Sequence, residues 1–113
     1  MKIYHNPRCS KSRQALELLR ERGVEPEVVE YLKTPPDVAT LTRLLGQLGL
    51  RPRDLLRTKE PEYRAAGLDD PGLEDAALVR AMVEHPRLIE RPIVVAGKRA
   101  ILGRPPERVL ELL

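Results

Sequence analysis

The 113 residues of this chain suffice for one hydrophobic core and not for two, which excludes a multidomain machine. Hydrophobic residues at 42% and charged residues at 33% give enough apolar surface to offset folding entropy, so disorder is excluded as well. Twenty basic against seventeen acidic residues leave a net charge of +3, with the two signs interleaved along the chain, and the only aromatics are Tyr4, Tyr31 and Tyr63. A nucleic-acid partner is therefore not expected: there is neither a polycationic block nor a stacking platform.

Lys2 to His5 reads as a short strand, Asn6-Pro7 as a turn, and Ser10 to Arg22 as a helix stopped by Gly23, with Ala15, Leu18, Leu19 and the stem of Arg22 on its apolar face. Glu27 to Tyr31 is a second strand, parallel to the first because a helix separates them. After Lys33-Thr34-Pro35-Pro36, Asp37 caps a helix that carries Leu41, Leu44, Leu45 and Leu48 and ends at Gly49. Further helices follow after Pro52, at Pro61 to Ala66 and at Glu74 to Glu84. Past His85-Pro86, Pro92 to Ala96 and Arg99 to Leu102 form a hairpin around Gly97-Lys98, and Pro105 opens a terminal helix through Leu113. The order βαβ, helices, ββα fits an α/β fold: one thioredoxin-like domain, 1–113, with a mixed four-stranded sheet and a helical insert at about 37–85. No apolar run reaches the roughly 18 residues of a membrane span, and the opening MKIYHNPRCS has no leader core, so a cytoplasmic protein without membrane association is expected.

The single cysteine, Cys9, excludes an internal disulfide and a zinc cluster, and no metal is expected. It falls where the first strand's loop enters the first helix, so the unpaired N–H groups of Ser10, Lys11 and Ser12 favour a thiolate there. A helix end supplies roughly 0.3 to 1 kcal/mol, whereas lowering a thiol by about two pH units needs about 2.7 kcal/mol. Nearby cations must supply the difference, and His5, Arg8, Lys11 and Arg13 are the candidates. The same N–H groups form a cradle for an oxyanion, with arsenate, phosphate, sulfate and a disulfide left undistinguished at this point.

His5-Asn6-Pro7-Arg8-Cys9-Ser10-Lys11-Ser12-Arg13 closely resembles the active-site loop of the glutaredoxin-coupled arsenate reductases. The likeness continues through Tyr31-Leu32-Lys33-Thr34-Pro35-Pro36, Leu55-Leu56-Arg57, the run from His85 to Val95, and Gly103-Arg104-Pro105, nearly the whole chain. The resemblance implies that Cys9 is the nucleophile, that Arg57, Arg91 and Arg104 bind the oxyanion, and that Pro92 is the cis-proline of thioredoxin-like folds. It further implies attack of the thiolate on arsenate, then reduction to arsenite by external thiols, with glutathione or another low-molecular-weight thiol as co-substrate and glutaredoxin as partner. Arginine suits the oxyanion because its planar fork holds two oxygens and keeps its charge at any working pH.

Two other readings compete. A monothiol glutaredoxin-like oxidoreductase would use Cys9 and Pro92 but not the arginines. A non-catalytic regulator of the same fold, of the kind that binds RNA polymerase, would need Cys-x-x-Cys for a redox switch, and here the second position is Ser12.

Overall fold

The computed structural model describes every residue from Met1 to Leu113. It divides into two compact units: Met1–Thr34 with Arg91–Leu113, and Pro35–Glu90.

In the first unit β1 (Lys2–His5) lies inside a four-stranded sheet of order β2-β1-β3-β4. It pairs in parallel with β2 (Glu27–Glu30) and antiparallel with β3 (Ile93–Ala96), which pairs antiparallel with β4 (Arg99–Leu102). The parallel pair requires a crossover, and α1 (Ser10–Glu21) supplies it. Register aligns Ile3 with Val94 and Val94 with Ile101, so one sheet face carries a continuous apolar row. Ala15, Leu16 and Leu19 of α1 pack on that row together with Val109. This is the mixed thioredoxin-like sheet that the element order predicts.

Three local features differ from expectation. The buried face of α1 is Ser12, Ala15, Leu16 and Leu19, and Arg22 is exposed. The helix ends one residue earlier, and Gly23, at φ +79°, turns the chain away before Arg22 can lie along the core. The terminal segment is a 3-10 helix, Pro106–Leu112, closed by bonds such as Arg108 N–H to the Pro105 carbonyl at 3.1 Å. Its apolar positions Pro106, Val109 and Leu112 recur every three residues, the spacing that a three-residue turn aligns on one side. Gly103 donates to the Pro92 carbonyl at 2.8 Å. A Cβ there would stand 2.9 Å from Pro92 Cγ and 3.0 Å from Val109 Cγ1, so only glycine fits without a shift.

The second unit is helical: α2 (Val38–Leu48), α3 (Pro52–Leu55), α4 (Pro61–Ala65), α5 (Asp75–Glu84) and a 3-10 turn at Pro86–Leu88. Asp37 caps α2 by accepting from Thr40 N–H at 2.7 Å, and Gly49 at φ +69° ends it. Its buried side chains include Leu41, Leu44, Leu55, Leu78, Met82 and Leu88. An isolated antiparallel bridge joins Leu56 to Ile89. There Arg57 N–H donates to Leu88 O at 2.8 Å and Glu90 N–H to Leu55 O at 2.9 Å, pairings between distant residues that local periodicity does not register. No helix is long and apolar enough to cross a membrane.

Candidate active site

Cys9 is the N-cap of α1, at φ −93° and ψ 121°, and is half-buried. Its loop is built by short-range polar contacts. Cys9 N–H donates to the Asn6 carbonyl at 3.0 Å, Arg8 N–H to Asn6 Oδ1 at 3.0 Å, and Arg13 N–H to the Cys9 carbonyl at 3.0 Å. Asn6 N–H donates to Ser12 Oγ at 3.1 Å, and Ser12 Oγ also lies 2.5 Å from His5 Nδ1. Ser12 Oγ thus links the Asn6 amide to the imidazole, and its one hydrogen and two lone pairs let it serve either tautomer of the ring. Asn6, Ser12 and His5 are all buried, and this closed network fixes the first turn of α1.

The Cys9 thiol is held below its ordinary value although burial works the other way. The Ser12 backbone N–H opposes burial most strongly, followed by a hydrogen bond from the Arg91 side chain, the Arg91 charge, and the Lys11 N–H. Ser12 and Lys11 thus act on the sulfur through their amides. Arg91, more than eighty positions away in sequence, supplies the positive charge. It reaches the loop because β3 pairs with β1 and Arg91 stands just before β3.

The other expected thiolate-stabilising groups are engaged differently. His5 is buried and contacts Ser12. Burial pushes its pKa below 6.5, with opposing and reinforcing contributions from Glu30, Arg20 and Arg13, so it is uncharged at neutral pH. A cation at His5 was the expectation; the desolvation that comes with its place on the core face of β1 removes that charge. Arg13 Nη1 donates to the Pro7 carbonyl at 2.9 Å, and Arg8 is exposed. Asn6 was missed entirely from sequence. Its signal is the Asn-Pro turn itself, since an Asn side chain folds back on nearby N–H groups in such turns.

Of the three arginines, Arg91 and Arg104 come together: Arg104 Nη1 donates to the Arg91 carbonyl at 3.2 Å. The Nε of Arg91 is buried with no protein acceptor. Arg57 belongs to the second unit, where its Nη1 pairs with Glu90 at 2.7 Å and its Nε with Glu60 at 3.3 Å. Arg87 joins the same ladder through Glu60 at 3.1 Å. The Arg91-Pro92 bond is cis, and so is Arg104-Pro105. No three His, Cys, Asp or Glu side chains are grouped to hold a metal ion.

The ArsC family profile matches residues 4–112. The chain belongs to the ArsC family. Among similar proteins, the uncharacterised YfgD of Escherichia coli K12 is 59% identical over 114 residues, covering 100% of this chain and 96% of its own. The arsenate reductase of Neisseria meningitidis is 52% identical over 114 residues, covering 100% of this chain and 97% of its own. A solved structure described as arsenate reductase from Vibrio cholerae superposes with a TM-score of 0.96 at 54% identity, covering 100% of this chain and 98% of that one. An ArsC-family chain with this fold carries its one cysteine at the junction where backbone amides and a distant arginine converge.

Proposed function

We propose that this protein is an arsenate reductase, a thiol-dependent oxidoreductase in which Cys9 is the nucleophile. One observation carries the reading: the Nε of Arg91, the arginine that helps hold the Cys9 thiol below its ordinary value, is buried with no protein acceptor. Buried donors are nearly always satisfied, so a spare one beside an activated thiolate fits an oxyanion as its partner. Relatives named arsenate reductase, covering the full length of this chain, support arsenate among the oxyanions.

In this reading the Cys9 thiolate attacks As(V), an As–O bond breaks, and the released oxygen takes up protons and leaves as water. Arg91 and Arg104 hold the remaining oxygens of the thioarsenate, helped by the Lys11 and Ser12 amides. Arg57, implied by resemblance, contributes less, because two carboxylates already neutralise its guanidinium. Pro92 packs on Gly103 and shapes the entrance to β3. Reduction to As(III) takes two electrons, supplied by two thiols: the Cys9 sulfur and that of glutathione or another low-molecular-weight thiol, which end joined as a mixed disulfide while arsenite departs. Glutaredoxin then returns Cys9 to the thiolate. The lone cysteine suits a reducing, cytoplasmic setting, and the chain reads as one thioredoxin-like domain with its helical insert.

The test is arsenate-dependent NADPH oxidation coupled through glutathione, glutaredoxin and glutathione reductase, with Cys9→Ser as blank. Turnover that disappears in the blank is the expected result. Wild-type protein that reduces a glutathione mixed disulfide yet leaves arsenate untouched sinks the assignment in favour of the monothiol glutaredoxin-like alternative.

A further inference from the structure

Between Asn6 and Leu16 the chain carries Arg8, Lys11 and Arg13 and no acidic residue. All three are exposed and flank Cys9 in sequence. Elsewhere in the same unit, Lys2, Arg20, Lys33 and Arg108 stand 3.7, 2.8, 3.6 and 3.5 Å from Glu27, Glu25, Glu30 and Glu111. None of the three cations beside Cys9 has such a carboxylate, and although Arg22, Lys98 and Arg99 also lack one, only these three flank the sulfur in sequence. Their side chains are not what lowers the thiol either, since that falls to the Ser12 and Lys11 amides and to Arg91. Arg13 uses one donor on the Pro7 carbonyl. Like charges crowded into six positions repel one another, and that single Arg13 bond is the one side-chain contact they return to the fold.

We propose that Arg8, Lys11 and Arg13 form a docking collar for an acidic-faced redoxin, the protein that regenerates Cys9. The proposal rests on Cys9 being a redox nucleophile, as read above. With no second cysteine, electrons must arrive from outside, and whatever delivers them must approach a half-buried sulfur past this collar. The stretch from Arg8 to Gln14 offers no large apolar or aromatic side chain to line a small-molecule pocket. It offers exposed charge over two turns of chain, which suits the electrostatic face of a protein and raises the rate of encounter. In the step served, the redoxin thiolate attacks the glutathione sulfur of a Cys9–glutathione mixed disulfide. The bond to Cys9 breaks, Cys9 leaves as thiolate, and the redoxin carries the glutathione as its own mixed disulfide.

The experiment starts from that mixed disulfide, made on the full chain with oxidised glutathione, and needs no arsenate. Its second-order reduction by a glutaredoxin with acidic residues around its active cysteine should slow about tenfold as salt is raised through the physiological range. In Arg8→Gln/Arg13→Gln the reaction should be about tenfold slower at low salt and lose most of its salt dependence. Dithiothreitol, an uncharged dithiol, should reduce both proteins at rates within about twofold, and neutral iodoacetamide should alkylate their free Cys9 equally well. Equal glutaredoxin rates for the two proteins overturn the collar. So does a loss shared with dithiothreitol or iodoacetamide, which would place the charges' effect on the sulfur. A loss confined to arsenate turnover at saturating glutaredoxin also overturns it, and reassigns the cations to the oxyanion. Because the disulfide assay is independent of arsenate, a protein inactive on arsenate can still show the collar.

Discussion

Arg91 and Arg57 are the same residue in two electrostatic settings. In the sheet unit, the loop and first turn around Cys9 hold no acid, and Arg91 keeps a buried donor unused while it helps hold the Cys9 thiol low. In the helical unit, Arg57 is one rung of a ladder, Glu90 to Arg57 to Glu60 to Arg87, with the inner contacts at 2.7, 3.3 and 3.1 Å. An arginine is available to an anion only where the fold withholds carboxylates from it. The residue type alone does not decide this, and neither does its match to a family motif.

The largest expected effect tests Arg91. Arg91→Lys keeps the charge and removes the planar fork, and should lower arsenate kcat/KM by about a hundredfold to a thousandfold, about 2.7 to 4 kcal/mol in the barrier. Because Arg91 also helps ionise Cys9, the midpoint of thiolate absorbance should move up in the variant. Mixed-disulfide reduction measured on the same protein should change little. If arsenate turnover survives intact, Arg91 is not the oxyanion's arginine.

Arg57→Lys sharpens the contrast from the other side. Its guanidinium is about three-quarters buried and doubly paired, so the substitution should cost about 1 to 2 kcal/mol of stability in a urea titration. Its effect on kcat/KM should stay under about tenfold. A loss matching that of Arg91→Lys would show that the two carboxylates give way to substrate and that both arginines serve the oxyanion.

Packing beneath the site supplies a third test. Gly103→Ala forces a methyl against Pro92 and Val109 at 2.9 and 3.0 Å, with the backbone of both sides fixed by the Gly103-to-Pro92 bond. Overpacking of this kind costs about 1 to 3 kcal/mol. Since Arg91 precedes Pro92, thiol reactivity should also fall. An alanine variant as stable as wild type, with unchanged alkylation kinetics, would show that β3 and the terminal 3-10 helix yield at that point.

The smallest effect concerns His5. Its folded pKa lies below the unfolded value of 6.5 because burial disfavours the imidazolium. The unfolded chain therefore binds this proton first, and stability that is complete above 6.5 is lost as pH falls through the folded value. Cys9, whose pKa is also lowered, acts in the same direction at higher pH, stability increasing as pH rises through its folded value toward 9.0. Melting temperatures recorded on the acid side should drop less in His5→Gln than in wild type, once both are referred to neutral pH. Parallel slopes in the two proteins would place the acid sensitivity elsewhere, Asp37 and Glu25 being the next groups to lose favourable contacts at lower pH.

By itself the sequence determined what depends on short spans. The parallel β1-α1-β2 opening, the Asp37 cap, the ends at Gly23 and Gly49, the hairpin turn and the place of Cys9 at a helix start all follow from periodicity and turn chemistry within a dozen residues. Tertiary structure decided whatever needed distant residues or desolvation. Four cations stood near Cys9 in the sequence, yet the one that acts on its sulfur, Arg91, arrives through the pairing of β3 with β1. His5 looked like a charge until burial on the core face made it a neutral partner of Ser12. The terminal helix looked α-helical until its three-residue apolar spacing met the core and tightened it to 3-10 geometry. Arg57, indistinguishable from Arg91 as a letter in the chain, was separated from it by the Leu56–Ile89 bridge that brings Glu90 alongside. Local rules set where a side chain starts, whereas the partners folding brings to it set its charge, its free donors and so its chemistry.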